Sequence, residues 1–335
     1  MLNKISNPIK FSLLGLIIAL LPLMLDLSKP VMTLLNMVVI YSIIALGFNI
    51  LLGYAGQISL GHAVFMGLGA YLSVYITETL QLPFLVGLLT AGLIPMAIGG
   101  LLGLIALRLE GHYLAIATLG FGVAIQQVFN EWTPFTNGYD GVTASSPVIF
   151  GLEISSRQQY FVMNMMILIA LSVFAYNMLR SKTGRALIAM RDSEHAAQAM
   201  GISLLKYKLI AFAVSAFYAG IAGSLYAHLI RFVEPSAWGM DLSLNLLAMV
   251  VIGGLSSISG SIIGASFITL IPELIKKVEF LQGFKNISYV FTGVLMILVI
   301  MFFPAGLSRL VSQLRLKLKG LKHTKPKTAV KEGSL

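Results

Sequence analysis

Apolar runs long enough to cross a lipid bilayer are the feature that most constrains this 335-residue chain. A span takes about 20 apolar residues, and such runs recur along the whole sequence. Charged residues make up only 11% of the chain, whereas a soluble domain carries about 25%. Because backbone polar groups in the hydrocarbon region must be bonded internally, the runs favour helices. The sequence therefore predicts an all-α, polytopic transmembrane bundle.

Nine apolar segments define the predicted spans. They fall near residues 11–27, 31–52, 62–77, 83–107, 112–130, 160–179, 209–230, 242–272 and 287–304. The segment 242–272 is too long for one straight span, and the run GGLSSISG at 253–260 interrupts it. We expect two short helices joined by a turn there, and about ten membrane-crossing or membrane-entering helices in total. Close helix contacts are predicted at the small-residue pairs Gly99/Gly103, Ala216/Gly220, Ala219/Gly223 and Gly260/Gly264.

A polar island interrupts the apolar runs at residues 180–208. It carries six basic residues against two acidic ones, and the segment 309–335 carries eight against one. Since lysine and arginine collect in cytoplasmic loops, we expect both segments and the N-terminus in the cytoplasm. Five predicted spans precede the loop 131–159, which places it outside. The C-terminal segment lacks aromatic residues that stack on bases, so we expect attraction to anionic lipid and no nucleic-acid partner.

Three regions follow from this pattern. They are a cytoplasmic tail at 1–10, a transmembrane domain at 11–305 that contains the polar island, and a basic cytoplasmic tail at 306–335. The first apolar run follows Lys4 and Lys10 in the manner of a signal peptide. No small-residue cleavage site follows it, so we interpret it as a retained first span.

Catalytic and cofactor motifs do not appear in the sequence. It has no cysteine and no GxxxxGK[ST] phosphate loop, and its five histidines lack metal-site spacing. We therefore expect no enzyme, no metal and no cofactor bound by this chain. Ion-coupled carriers usually need an ionisable residue within the membrane, and none lies in the middle of a predicted span. Energy for transport is then expected from another polypeptide, although a stand-alone secondary transporter is the alternative.

Two uncharged polar clusters are candidates for the lining of a transport pathway. The first interrupts the apolar sequence at 53–62 and contains Gln57, Ser59 and His62; interrupted helices are tolerated where backbone lines a cavity. The alternative for this cluster is a cytoplasmic turn, with His62 in an interfacial hydrogen bond. The second cluster, at 136–141, contains Asn137 and Asp140 and carries a turn signal.

An alanine-rich segment at 194–201 within the polar island predicts a short helix. Asp192 or Ser193 is suited to its N-cap, and Gly201 ends it. The residues Ala196, Ala197 and Met200 are expected to form a small apolar face that fits a groove on a partner.

Several runs resemble the permeases of branched-chain amino-acid ABC importers, closest to the LivM type. The resemblance covers roughly residues 35–305. It rests on GYAGQISLGHAVFMGLGAY (53–71), LRLEGHYLAIATLGFG (107–122), TNGYDGV (136–142), GRALIAMRDSEHAAQAMGIS (184–203), KLIAFAVSAFYAGIAGSLYA (208–227) and MVVIGGLSSISGSIIGA (249–265).

The resemblance implies an importer permease of type II-like fold in the bacterial inner membrane. Its partners would be a second related permease in a heterodimer, two cytoplasmic ATP-binding subunits that use the ATP, and a periplasmic binding protein. Branched-chain amino acids are the implied cargo, with urea or short amides as the alternative. The segment 194–201 is similar to the EAA-type coupling motif, but His195 is inserted and the downstream Ile-x-Leu-Pro is missing. The ATPase-coupling residues implied are Arg191, Asp192, Glu194, Ala196, Ala197, Met200 and Gly201.

Overall fold

A computed structural model describes most of the membrane-embedded chain. It describes residues 27–106, 109, 111–149 and 151–276, together with residues 15, 16, 19, 20, 22, 293, 294, 297, 298, 301 and 306–308. The predicted spans 11–27 and 287–304 and the tails 1–10 and 306–335 therefore lie largely outside the described residues.

Helices dominate the described residues. In chain order they are α1 (Lys29–Asn49), α2 (Ala63–Val74), α3 (Phe84–Ala106), α4 (His112–Glu131), α5 (Thr133–Thr136), α6 (Arg157–Arg180), α7 (Lys182–Asp192), α8 (Glu194–Ala199), α9 (Leu204–Ile230), α10 (Met240–Gly253) and α11 (Ile258–Lys276). Four two-residue strands accompany them: β1 (Val142–Thr143), β2 (Val148–Ile149), β3 (Leu152–Glu153) and β4 (Phe232–Val233). Antiparallel pairs form between β1 and β4 and between β2 and β3.

Five of the described helices are long and apolar enough to cross a membrane: α1 with its π-helical extension to Tyr54, α3, α4, α6 and α9. The shorter apolar helices α10 and α11 accompany them. The predicted polytopic helical bundle is thus confirmed, and the run 242–272 forms the expected helix pair with a turn at 254–257.

The two ends of the bundle differ in their loops. At one end, the island end, Arg191 of the polar island contacts both Gly53, after α1, and Ser256, in the turn between α10 and α11. At the opposite end, the far end, β1 of the loop 132–156 pairs with β4, which follows α9. The loop that the sequence places outside therefore lies away from the polar island.

Helix α9 forms the centre of the packing, and it touches α1, α2 and α3. Its small residues let neighbouring backbones approach closely. A Cβ added at Gly220 would meet the carbonyl of Ala91, and one added at Gly223 would meet the carbonyl of Met66. The predicted small-residue contacts are confirmed here, since a larger side chain would separate helices that touch through their backbones.

Two segments outside the α-helices, 55–62 and 231–239, lead the chain back into the interior of the bundle. After α1, residues 55–62 leave the helical conformation, and α2 begins only at Ala63. The ring of His62 contacts Ser215, which lies about 16 Å along α9 from its first residue at 1.5 Å per residue. After α9, residues 231–239 turn back into the bundle before α10 begins. The backbone N–H of Ala63 donates to the hydroxyl of Ser243 at 3.1 Å, so α2 and α10 begin side by side inside the protein.

Candidate coupling site

The polar island folds into two helices, whereas the sequence predicted one. Serine side chains cap both: Ser181 accepts from the N–H of Thr183 at 3.1 Å, and Ser193 accepts from the N–H of Ala196 at 3.2 Å. The first helix, α7, was missed because its four charged residues obscure its apolar face. The second, α8, begins at the predicted N-cap, with Ser193 rather than Asp192 in that role.

The end of α8 is a Schellman motif closed by Gly201. The N–H of Gly201 donates to the carbonyl of Gln198 at 2.9 Å, and the N–H of Ile202 donates to that of Ala197 at 3.0 Å. Gly201 has φ +79, a conformation that glycine adopts without steric cost. The predicted glycine stop is therefore confirmed, and it satisfies the last carbonyls of the helix.

The predicted apolar face of α8 is correct for only two of its three residues. Ala196 and Met200 are exposed, and Met200 has 83% of its surface accessible. Ala197 is buried and packs inward, because successive residues on a helix lie about 100° apart. The outward face of α8 is thus Ala196, Met200 and the adjacent Gly201, while Ala197 attaches the helix to the bundle.

Glu194 is held by groups of this chain. Its Oε2 pairs with the Nζ of Lys208 at 2.8 Å, with 1% of the lysine side chain and 19% of the glutamate side chain exposed. Its Oε1 accepts from Nε2 of Gln57 at 3.2 Å. A buried lysine needs such a countercharge, because an unpaired charge is costly to bury. Glu194 therefore ties α8 to α9 and to the non-helical segment 55–62.

Arg191 makes the second attachment of the polar island. Its guanidinium donates to the carbonyl of Gly53 at 3.1 Å and to the hydroxyl of Ser256 at 2.7 Å. It also pairs with the adjacent Asp192 at 2.7 Å, which orients the guanidinium group. The hydroxyl of Ser256 donates in turn to the carbonyl of Gly53 at 2.6 Å. One arginine thus joins the end of α1 to the turn between α10 and α11.

A buried asparagine completes this junction. The Oδ1 of Asn49 accepts from the N–H of Ser256 at 3.0 Å, and its Nδ2 donates to the carbonyl of Ser257 at 3.0 Å and to the hydroxyl of Ser261 at 2.8 Å. Gly53 lies against the same turn, because an added Cβ there would meet the N–H of Ser256. Side-chain hydrogen bonds therefore fix the helical hairpin to α1.

The first candidate pathway cluster lies in the interior of this chain. Gln57, Ser59 and His62 are all buried. The Nε2 of His62 lies 3.0 Å from the hydroxyl of Ser215, and its ring stacks on Phe48 at 4.6 Å between centroids. The expected interfacial position of His62 is wrong, because the extended segment 55–62 carries it from the island end into the bundle.

The second candidate cluster lies at the far end, so the five candidate residues do not form one site. Asn137 and Asp140 are exposed. Asn137 adopts φ +59, and its Nδ2 donates to the carbonyl of Gly141 at 2.9 Å, which confirms the predicted turn. Whether any of the five residues lines a pathway stays a prediction.

Residues that the sequence did not single out complete the junction. Asn49 lies within an apolar run and Lys208 at the edge of another, so nothing in the local pattern gave them partners. Ser256 belongs to the predicted glycine and serine turn, but its contact with Arg191 joins residues distant in sequence. Within the described ranges, no cluster of three or more His, Asp or Glu side chains could hold a metal ion.

Comparisons with known proteins identify relatives of this chain. The family described as "branched-chain amino acid transport system / permease component" matches residues 31–300. The high-affinity branched-chain amino acid transport system permease protein LivM of Salmonella typhimurium is 33% identical over 92% of this chain and 77% of that protein. The protein of the same description from Escherichia coli is 34% identical over 87% and 73%. The ribose import permease protein RbsC of Haemophilus influenzae is 26% identical over 77% of each chain. No solved structure matches.

Proposed function

The chain belongs to the branched-chain amino acid transport permease family, and we propose that it forms half of the translocation pathway of an ATP-driven importer for branched-chain, hydrophobic amino acids. The two LivM proteins support this cargo, since both are named for it and both match most of this chain. The ribose permease is a more distant relative. Urea or short amides are the second candidate cargo. Members of this family are transport permeases and not enzymes.

The observation that carries the proposal is the attachment of the polar island. The outward surface of α8 consists of Ala196, Met200 and Gly201, all of them exposed. This narrow apolar surface suits a groove on a partner. Directly beneath, Glu194 bonds to Gln57 in the non-helical segment 55–62. Arg191 bonds to Gly53 in the π-helical extension of α1 and to Ser256 in the turn between α10 and α11. A subunit that moves α8 would therefore move the backbone at Gly53 and Gln57 and the turn at 254–257. We infer that this surface docks an ATP-binding subunit and that ATP is hydrolysed there, with no cofactor bound by this chain.

The exposed face of α4 supports a partner within the membrane. Gly120, Ala124, Gln127 and Glu131 lie on one side of this helix, and all four are exposed. The Nε2 of Gln127 donates to Glu131 at 2.9 Å. Polar groups at membrane level are costly against lipid, and small residues allow close helix contact. We therefore place the second permease, and the pathway between the two chains, against this face.

The remaining partners follow from the proposed orientation. The island end is assigned to the cytoplasm of a bacterial inner membrane, together with both termini, because of its basic residues. The far end then faces the periplasm, where a substrate-binding protein would dock. Its loop exposes Tyr139 and Leu152, and apolar side chains exposed to water are typical of a binding surface.

Two substitutions at Gly201 test the docking surface. Gly201 has no side chain or backbone of another residue within 4 Å of an added Cβ, so bulk there meets only a partner. Asparagine tolerates the left-handed conformation; Gly201→Asn is therefore the control, and Gly201→Trp fills the groove. In proteoliposomes with both permeases, the ATP-binding subunits and the binding protein, we expect leucine uptake to survive in Gly201→Asn. It is expected to disappear in Gly201→Trp at equal amounts in the membrane.

The same system separates the candidate functions. Leucine, isoleucine and valine uptake that requires ATP and the ATP-binding subunits supports the importer. Uptake by this chain alone would identify a stand-alone transporter. Uptake of labelled urea in place of leucine would change the cargo and keep the family. Normal uptake in Gly201→Trp would show that α8 does not enter a groove on the ATP-binding subunit.

A further inference from the structure

A basic cavity lies at the far end of the bundle, away from the coupling site. Its volume is about 480 Å³, and it lies between the first residues of α1 and α6 and the last residues of α9. Three cationic side chains line it: Lys29, Arg157 and Arg231. No aspartate or glutamate is among the described residues that line it. A cavity whose described lining carries three cations and lacks a carboxylate suits an anion.

Helix geometry adds to the positive potential of this cavity. Lys29 is the first residue of α1 and Arg157 the first residue of α6. Helix N-termini carry a partial positive charge, so cations there are unfavourable unless an anion compensates them. Within the described part of the chain, Lys29, Arg157 and Arg231 form no ion pair with a carboxylate. An anion bound between them would supply the compensation.

Hydrogen bonds hold the backbone of Arg157 and the side chain of Arg231 at the cavity. The backbone carbonyl of Arg157 accepts from Nδ2 of Asn36 at 3.1 Å. Arg231 ends α9 in a left-handed conformation at φ +64, and its guanidinium donates to the hydroxyl of Ser146 at 2.6 Å. The ring of His228 also borders the cavity, but both of its nitrogens are engaged, with Ser73 and with the carbonyl of Ser145. Lys29, Arg157 and the remaining N–H groups of Arg231 are therefore the cationic groups that a ligand can reach.

The lining also restricts the kind of anion. A free amino acid would bring an ammonium group, which finds no carboxylate among the described residues that line the cavity. Met32 and Leu229 give the cavity an apolar wall, which suits the glycerol and first acyl carbons of a lipid. Because it lies at the ends of three membrane-length helices, the cavity is level with lipid headgroups. Hydrogen bonds between arginine or lysine and a phosphate are charge-assisted and therefore strong. We propose that this cavity binds the phosphate of an amine-free anionic glycerophospholipid such as phosphatidylglycerol.

Lipid titration of the full chain with its co-purified partner subunits tests the proposal. Thermal stability is measured in detergent with added phosphatidylglycerol, phosphatidylcholine or inorganic phosphate. We expect phosphatidylglycerol alone to stabilise the wild type. In the double variant Arg157→Gln/Arg231→Gln, the concentration that gives half the effect is expected to rise about tenfold or more, because charge-assisted contacts are lost. Arg157→Lys/Arg231→Lys keeps the charge and the effect.

A second charge-removing pair is the matched control. Lys182 and Arg185 are exposed on the polar island, and Lys182→Gln/Arg185→Gln removes the same charge at the other end. This variant is expected to respond to phosphatidylglycerol as the wild type does.

Four results would overturn the proposal. They are an unchanged response in Arg157→Gln/Arg231→Gln, an equal loss in the control pair, stabilisation by phosphatidylcholine, and replacement of the lipid effect by inorganic phosphate. If the double variant kept the lipid response but lost stimulation by the periplasmic binding protein, the cavity would be a protein contact instead.

Discussion

Removing the buried charge of Lys208 tests whether an ion pair or apolar packing holds α8 to the bundle. In Lys208→Met the carboxylate of Glu194 loses its cation at 2.8 Å and, among the described residues, keeps the amide of Gln57 as its hydrogen-bond donor. Breaking a buried pair by removing one partner costs about 3–5 kcal/mol. Because one-fifth of the Glu194 side chain is exposed, we expect the lower end, about 3 kcal/mol. That corresponds to a change of about a hundredfold in the population of detached α8.

Hydrogen exchange of α8 reads this equilibrium directly. The N–H of Ala197 donates to the carbonyl of Ser193 at 3.0 Å, and it exchanges when the helix opens. In Lys208→Met the protection of this amide is expected to fall by about a hundredfold. Lys206→Met is the matched control, because it removes the same charge two residues away. Lys206 is exposed, and its ammonium group lies over the ring of Tyr207.

A double-mutant cycle makes the test quantitative. Glu194→Gln removes the carboxylate that pairs with Lys208 at 2.8 Å, whereas the double variant Glu194→Gln/Lys208→Met removes both charges of this pair. A neutral pair of similar volume is often as stable as the ion pair it replaces, so protection should largely return. We expect a coupling energy of about 2 kcal/mol or more. Effects that add to within about 0.5 kcal/mol would refute the ion pair as the attachment of α8.

Two further substitutions test the packing on which this site depends. Asn49→Leu removes the hydrogen bonds that fix the turn 254–257 to α1, at about 1 kcal/mol each; we expect a lower thermal midpoint in detergent, and an unchanged midpoint would contradict the assignment. Gly220→Leu forces a side chain into the carbonyl of Ala91 and is expected to cost 1–3 kcal/mol or more. Gly100→Ala is its control, because the nearest atom lies 3.8 Å from an added Cβ; equal losses in both variants would contradict the close approach of α3 and α9.

Local sequence patterns were sufficient to predict much of the fold. The apolar runs predicted the bundle. The run 242–272 predicted the turn between α10 and α11, because it is too long for one span and a cluster of glycine and serine interrupts it at 253–260. Ser193 and Gly201 were also readable, since caps depend on residues within one turn of the helix.

The contacts of the site could not be read in this way. Gln57 and Glu194 are 137 positions apart, and Asn49 and Ser261 are 212 apart. A single sequence carries no information on which of its polar residues meet across such distances. The segment 55–62 was ambiguous for another reason, because glycine and small polar residues suit a surface turn and a buried extended segment equally well. The contact of His62 with Ser215, in the middle of α9, shows that the segment is buried and is not a surface turn.

Under the proposed docking of α8, these contacts give the non-helical segment 55–62 a mechanical role in coupling. A continuous helix between the polar island and the middle of the bundle would resist bending along its whole length. The N–H groups of Ala55, Gly56 and Gln57 still bond back to the end of the preceding helix, but residues 58–62 lie outside any helix. A displacement applied at Gln57 can therefore reach Ala63 through a short non-helical chain. The N–H of Ala63 is bonded to Ser243, at the start of α10, and the other end of α10 is held by Asn49 and Arg191 through the turn that follows it. The polar island therefore contacts the segment that leads into α2 and the turn that follows α10, and these two helices meet at Ala63 and Ser243. A partner that shifts α8 is thus expected to act on α2 and α10 together.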